Sequence, residues 1–196
     1  MEFSKNSWTA NANSENRKSP SAEPPRPGAT LPPGLQRLIQ HNEVQIPVNL
    51  RLVQPSEDEE LLGWVREYFT YDGILFEEPR VREGLSLLLQ SSNIGWAWFI
   101  ERQGQNTVLG YAIATLGFDL EFGGKRATLT DLYIKQEFRG KGLGRLTLNT
   151  IETECRKSGC LALELQVEND NLEAQRLYRA AGFIAHDRTP MSKRLN

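Results

Sequence analysis

One stretch of the chain has residue types and spacing suited to holding a phosphorylated ligand. Asp131-Leu132-Tyr133-Ile134-Lys135-Gln136-Glu137-Phe138-Arg139-Gly140-Lys141-Gly142-Leu143-Gly144 reads as a strand, a glycine-rich turn and the start of a helix. Glycines let successive backbone N–H groups converge on one point without Cβ obstruction. The first turn of the helix adds unpaired N–H groups and the positive end of the helix dipole. Arg139 and Lys141 add charge. Together they suggest a cradle for a phosphate or pyrophosphate. The chain has no GxxxxGK[ST] loop, so a Walker A site is excluded. The glycines run Gly140-x-Gly142-x-Gly144 and miss the G-x-G-x-x-G spacing of a dinucleotide fingerprint. A tight strand-to-helix turn, with glycine needed only for geometry, is the other reading of these residues.

Two motifs carry a family resemblance. Arg139-x-x-Gly142-x-Gly144 resembles the Q/R-x-x-G-x-G/A acetyl-CoA signature of the GNAT superfamily of N-acetyltransferases. Downstream, the segment from Asn171 to Phe183 resembles that family's N-x-x-A-x-x-L-Y-x-x-x-G-F segment, with Ala174, Leu177, Tyr178 and Gly182 in place. The strand Leu129–Ile134 looks like the family's fourth strand, and the resemblance extends from about Val48 to the C-terminus. It implies acetyl-CoA as co-substrate and an acyl-CoA N-acyltransferase fold. The backbone N–H groups of Arg139, Gly140, Lys141, Gly142, Leu143, Gly144 and Arg145 would surround the pyrophosphate. Leu132, Tyr133 and Ile134 would offer backbone groups to the pantetheine and the thioester carbonyl. Asn171 matches the side chain that bonds the pantetheine, and it also suits a helix N-cap. Tyr178 matches the tyrosine beside the thioester sulfur, and it also suits an amphipathic helix as a core aromatic.

The implied chemistry is direct attack of a neutral amine on the thioester, without a covalent enzyme intermediate. The oxyanion needs a donor, for which the N–H of Ile134 or a neighbour is the candidate. Tyr178 is the candidate general acid for the leaving thiolate. The base is less clearly marked. Some small-amine acetyltransferases carry a Glu-Asp pair on the fourth strand, whereas this chain has Thr130-Asp131. Asp131 is the first candidate and Glu121 the second, with a water chain as an equal alternative. The acceptor site should come from the first two helices and their loop. Phe69, Tyr71, Asp72 and Phe76 are its candidates, an acidic residue among aromatics being suited to a cationic amine. A small-molecule primary amine is the expected acceptor. A protein lysine or N-terminus, or a non-catalytic acyl-CoA-sensing module, are the competing readings. A homodimer is also open, by analogy alone.

The elements that must position these residues follow from periodicity. Val48–Val53 alternates and reads as a strand, and Ser56-Glu57-Asp58-Glu59 has the spacing of a capping box. Leu61, Leu62, Val65 and Phe69 then mark one face of a helix, and Val81, Leu85, Leu88 and Leu89 mark a second helix over Pro79–Leu89. Trp96–Glu101, Thr107–Phe118 and Ala127–Ile134 read as an antiparallel meander, with a hairpin turn at Phe122–Lys125. After Gly142 the pattern becomes helix Leu143–Ser158, strand Leu161–Val167 and helix Asn171–Ala181. Short closing strands are expected at Phe183–His186 and Met191–Leu195. The fold class is therefore α/β (α+β). The expected sheet is mixed and mostly antiparallel, with a parallel splayed pair and helices on both faces.

Residues 1–47 differ in kind. They hold seven of the ten prolines among Ser, Asn and mixed charges, and they read as a largely disordered tail with a short helix near Gly34–Gln40. The catalytic domain is expected over 48–196. A net charge of -2 and a pI near 5.8 argue against nucleic acid as the main partner. No apolar run reaches the ~20 residues of a membrane span. The opening Met1-Glu2-Phe3-Ser4-Lys5 has no apolar h-region, and Glu2, Glu15 and Glu23 oppose a transit peptide, so a cytoplasmic location is expected. Cys155 and Cys160 lack CxxC spacing, and His41 and His186 lie far apart, so no metal site is expected.

Overall fold

A computed structural model describes residues 47–195, and the expected helix at Gly34–Gln40 lies outside them. Five strands form one sheet in the order β1-β2-β3-β4-β5: Val48–Leu52, Gly95–Arg102, Val108–Asp119, Gly124–Ile134 and Ala162–Leu165. The first four pair antiparallel, and β4 pairs with β5 in parallel. Four α-helices are described: α1 (Asp58–Tyr71), α2 (Glu78–Gln90), α3 (Leu143–Lys157) and α4 (Leu172–Ala180). The expected mixed sheet with a parallel pair is the observed one. None of the described helices is long and apolar enough to cross a membrane.

Each sheet face has its own core because each helix carries one apolar stripe. Leu61, Leu62 and Val65 of α1 and Leu85 and Leu88 of α2 pack on Ala97, Phe99, Tyr111, Ile113 and Tyr133. On the other face Leu148, Ile151 and Cys155 of α3 cover Trp98, Ala112, Ala114, Ala127 and Leu129. Each such buried aliphatic side chain contributes roughly 1.5–3 kcal/mol.

A bulge in β4 sorts residues between these faces. Ile113 pairs with Asp131, but Ala114 pairs with Leu129, so Thr130 is an extra residue. One inserted residue reverses the in-out alternation beyond it. Tyr133 and Asp131 therefore face α1, whereas Leu129 and Ala127 face α3.

Two expectations are corrected. The first helical turn is capped two residues earlier than Ser56. A 3-10 turn covers Pro55–Glu57, and the Gln54 N–H donates to the Glu57 carboxylate at 2.8 Å. Glu57 also receives Arg51, which bonds Glu101 as well, so the cap is tied to the β1–β2 pair. The closing strands at Phe183–His186 and Met191–Leu195 are not strands in the structure. Pro190 cannot donate to a ladder, and Ile184, Met191 and Leu195 are exposed and cover no core.

Candidate active site

The glycine-rich turn adopts the conformation that its composition requires. Gly140 and Gly142 have φ of 73° and 72°, in the left-handed region that other residues enter at a cost. Gly142 is the N-cap of α3, and its carbonyl accepts the first helical bond, from Leu146. No described backbone bond is donated by Gly140 through Arg145, so these N–H groups line the mouth of the helix. Arg139 differs from the expectation. Its N–H caps the preceding 3-10 turn through Gln136 O at 3.1 Å, so it is not left over for a ligand. Its side chain also turns away from the loop. Nε donates to Ile134 O at 2.7 Å, and the guanidinium lies 4.2 Å from the Tyr71 ring centroid. Lys141 likewise bonds Glu137 O. The cradle is thus made of backbone rather than side-chain charge.

Beside it the parallel pair opens. β4 and β5 pair only from Arg126–Leu129 against Ala162–Leu165, which leaves the rest of β4 without a neighbour on that side. The Lys135 N–H donates to Leu109 O, towards β3. Strand alternation then directs Tyr133's backbone groups to β3 and those of Leu132 and Ile134 into the gap. The Ile134 N–H thus points into the gap, whereas the Tyr133 backbone is engaged with β3.

Two titratable side chains lie on opposite faces of the sheet near this strand. Asp131 lies under α1, and Tyr111 Oη donates to its Oδ1 at 3.3 Å. Burial raises the Asp131 pKa, and hydrogen bonds from Thr130 and Tyr111 oppose that rise. Tyr178, on α4, packs edge-on against Phe183 at 5.8 Å, and burial raises its pKa. Tyr68 of α1 joins the two. Its pKa is raised first by burial, then by the charges of Asp72 and Asp131, and also by Tyr178. Tyr178 itself packs on the α3-face core, with Leu165, Leu177 and Phe183. The close approach of α4 to α3 brings it there: a Cβ on Gly144 would meet Leu177 Cδ2 at 2.9 Å.

A turn of unpaired backbone N–H groups, a parallel pair that opens beyond Leu129 and a helix carrying Tyr178 beside them coincide with a family match over residues 58–183, described as the acetyltransferase (GNAT) family. The chain belongs to the GNAT acetyltransferase family. It is 32% identical over 75 residues to the thialysine N-epsilon-acetyltransferase of Bos taurus, covering 38% of this chain and 44% of that one. It is 25% identical over 130 residues to the spermidine N(1)-acetyltransferase of Thermoplasma acidophilum, covering 66% of this chain and 71% of that one. The chain thus spans less than half of the bovine relative. Among solved structures, an integron cassette protein from the mobile metagenome of Cole Harbour Salt Marsh superposes with a TM-score of 0.65 at 25% identity, over 81% of this chain and 95% of that one.

Within this GNAT domain the remaining expected residues divide. Asn171 caps α4, its Oδ1 accepting from the Ala174 N–H at 3.0 Å, and its amide N–H groups have no described partner. Phe69 and Phe76 pack edge to face at 5.9 Å against the α1–α2 core, as a wall rather than a contact surface. Tyr71 is exposed under Arg139, and Asp72 accepts weakly from Tyr68 Oη at 3.4 Å. Glu121 is elsewhere. It sits in the β3–β4 turn, paired with Arg188 at 2.8 Å. Six residue steps along β3 lead from Ile113, opposite Asp131, to Asp119 at that turn, which is about 20 Å at strand rise. Tyr68, Tyr111 and Glu67 were not singled out from sequence. Tyr68 and Glu67 lie on a helix whose apolar stripe drew the reading, and Tyr111 sits in a run that reads as buried strand.

Proposed function

We propose that this chain transfers an acetyl group from acetyl-CoA to a primary amine of a small molecule. The observation that carries the reading is the turn of unpaired N–H groups at Gly140–Arg145 at the end of a β4 strand whose pairing to β5 stops at Leu129, with Tyr178 on the α3-face core and Asp131 on the α1 side. Acetyl-CoA would supply an activated acyl group. The N–H groups at the head of α3 would hold its pyrophosphate, and the Leu132 backbone at the open edge would bond its arm. The Ile134 N–H would receive the oxyanion. Asp131 would take the proton from the arriving ammonium, a task for which a burial-raised pKa is a better match than an ordinary carboxylate. Tyr178 would hydrogen-bond the departing sulfur. Its pKa, raised above the usual ~10, exceeds the ~8.5 of a simple thiol, so it keeps its proton until charge develops there. An amine acceptor also suits the relatives named for thialysine and spermidine.

The depression beside Tyr133 opens to solvent, and this favours a second reading in which the acceptor is a lysine of a peptide. Calorimetric titration with acetyl-CoA, followed by thiol-release rates with free amines and a lysine peptide, tests both. Binding together with amine-dependent thiol release supports transfer. Faster release with the peptide favours the second reading, and no binding sinks both.

A further inference from the structure

Resting on the transfer reading above, we infer that the acceptor is an α-amino acid with a terminal side-chain amine, its zwitterionic head held between Glu67 and Arg139. A depression of about 450 Å³ lies beside the site, lined by Gly63, Arg66, Glu67, Thr70, Tyr71 and Tyr133. Its charged groups are unequally committed. Arg66 is paired with Glu78 at 2.5 Å and stacks over Phe76. Glu67 is held by Tyr133 Oη, which donates to its Oε1 at 2.9 Å, while Oε2 has only Lys135 Nζ at 3.9 Å. A carboxylate fixed by one oxygen with the other nearly free is an oriented receptor for an ammonium.

Arg139 supplies the opposite pole. It is half-buried, stacked 4.2 Å over Tyr71 and 5.4 Å over Tyr133, and pairs with no carboxylate among the described residues. Its one described side-chain bond uses Nε, so both terminal nitrogens remain for a ligand. A guanidinium partly withdrawn from water without an anion is costly, and a bound carboxylate offsets that cost through a two-pronged bond. Glu67 and Arg139 therefore flank the Tyr133 ring with opposite charges. A polyamine, cationic at both ends, would meet repulsion at Arg139.

The spacing to the reaction centre fits the same acceptor. Tyr133 and Asp131 face α1 two residues apart on β4, which is about 6.6 Å along a strand. An extended four-carbon side chain with its amine spans about 6 Å, its five bonds each advancing ~1.25 Å along the zigzag. A head at Tyr133 would thus put its terminal nitrogen at Asp131.

The test compares lysine with cadaverine, which is lysine without the carboxylate, and with Nα-acetyl-lysine methylamide, whose head is blocked. Thiol-release rates are measured on the full chain with acetyl-CoA, and lysine binding is read separately by calorimetry. Lysine should exceed both other amines in kcat/KM by about ten-fold or more. Arg139→Gln keeps a residue that the signature admits. It should lower the ratio of kcat/KM for lysine to that for cadaverine about ten-fold, and Glu67→Gln should lower the ratio for lysine to that for the blocked compound. The inference is overturned if cadaverine or the blocked lysine matches lysine, if Arg139→Gln slows all three alike, or if only other amines are turned over. Absence of acetyl-CoA binding would instead sink the transfer reading, and lysine binding that is lost in both variants would still support the receptor.

Discussion

Gly142 caps α3 with φ 72° and ψ 1°, and a Cβ built on it meets nothing within 4 Å. A Gly142→Ala change therefore acts through backbone strain alone. Holding an alanine in the left-handed region costs roughly 1–2 kcal/mol. That cost has two places to appear. If the turn keeps its shape, the whole domain carries the strain, and Tm falls by about 2–8 °C at the usual 2–4 °C per kcal/mol for a domain of this size. If the turn relaxes instead, the converging N–H groups at Gly140–Arg145 lose their aim, and acetyl-CoA binds roughly 5–30-fold more weakly at 1.4 kcal/mol per decade. Gly84 gives the control. It lies within α2, has ordinary φ, and is equally free of neighbours. The same substitution there removes only unfolded-state freedom and should stabilise by about 0.5–1 kcal/mol. Thermal unfolding of both variants with and without acetyl-CoA, together with calorimetric affinity, measures the two partitions. Unchanged Tm and unchanged affinity for Gly142→Ala would refute the conformational argument, and so would equal destabilisation by Gly84→Ala.

Asp131→Asn should lower kcat by about 10²–10⁴-fold. The carboxylate is the proton-accepting form, so wild-type turnover should fall as pH drops through a pKa above the ordinary ~4, and the variant's pH profile should lack that limb. Tyr178→Phe should slow turnover while acetyl-CoA affinity measured by calorimetry stays within about two-fold, since Tyr178 is read as serving the departing sulfur and not the pyrophosphate; an equal loss in both would make it a packing residue. Thr147 is fully buried on α3 and its hydroxyl has no described partner, so Thr147→Val should be neutral or stabilise by about 1 kcal/mol in denaturant unfolding. Burial pushes the Cys155 thiol up to about 12 and raises that of Cys160, so a thiol-alkylating reagent at neutral pH should label neither in the native chain and leave turnover intact.

Much of this architecture is readable from periodicity, and the exceptions have physical causes. The apolar stripes of α1, α2 and α3 specify which faces are buried, and the helix bounds follow them closely. The glycine turn is legible because only glycine serves where φ is positive at both Gly140 and Gly142. Side-chain direction is not legible in the same way. Arg139 looks like a phosphate ligand beside a glycine loop, yet a backbone carbonyl at the open edge of β4 and two aromatic rings engage it. Glu121 looks close to Asp131 because its strand neighbours that of Asp131, but hairpin geometry carries it to the far end of the ladder. The closing strands fail for a related reason. A short alternating run becomes a strand only when a partner edge takes it up, and no such pairing is described after α4.

The bulge at Thr130 is the least legible feature and the one on which the site depends most. Ala127, Leu129, Asp131 and Tyr133 occupy odd positions, and strict alternation would put all four on one face. Asp131 would then share its face with Leu129, and the α3 side would lose two of its core residues. The extra residue resolves the conflict. It lets Ala127 and Leu129 stay under α3 while Asp131 and Tyr133 turn to α1, where Tyr111, Tyr68 and Glu67 meet them. Described pairing to β5 also stops at Leu129, so the register change and the opening of the gap fall at the same place. Deleting Thr130 should therefore restore alternation at the expense of one face. Either the α3 core is lost and the domain unfolds at lower denaturant, or Asp131 leaves the α1 side and the acid limb of the pH profile disappears while acetyl-CoA still binds. A deletion variant with wild-type stability and a wild-type pH profile would show that the bulge does not position Asp131.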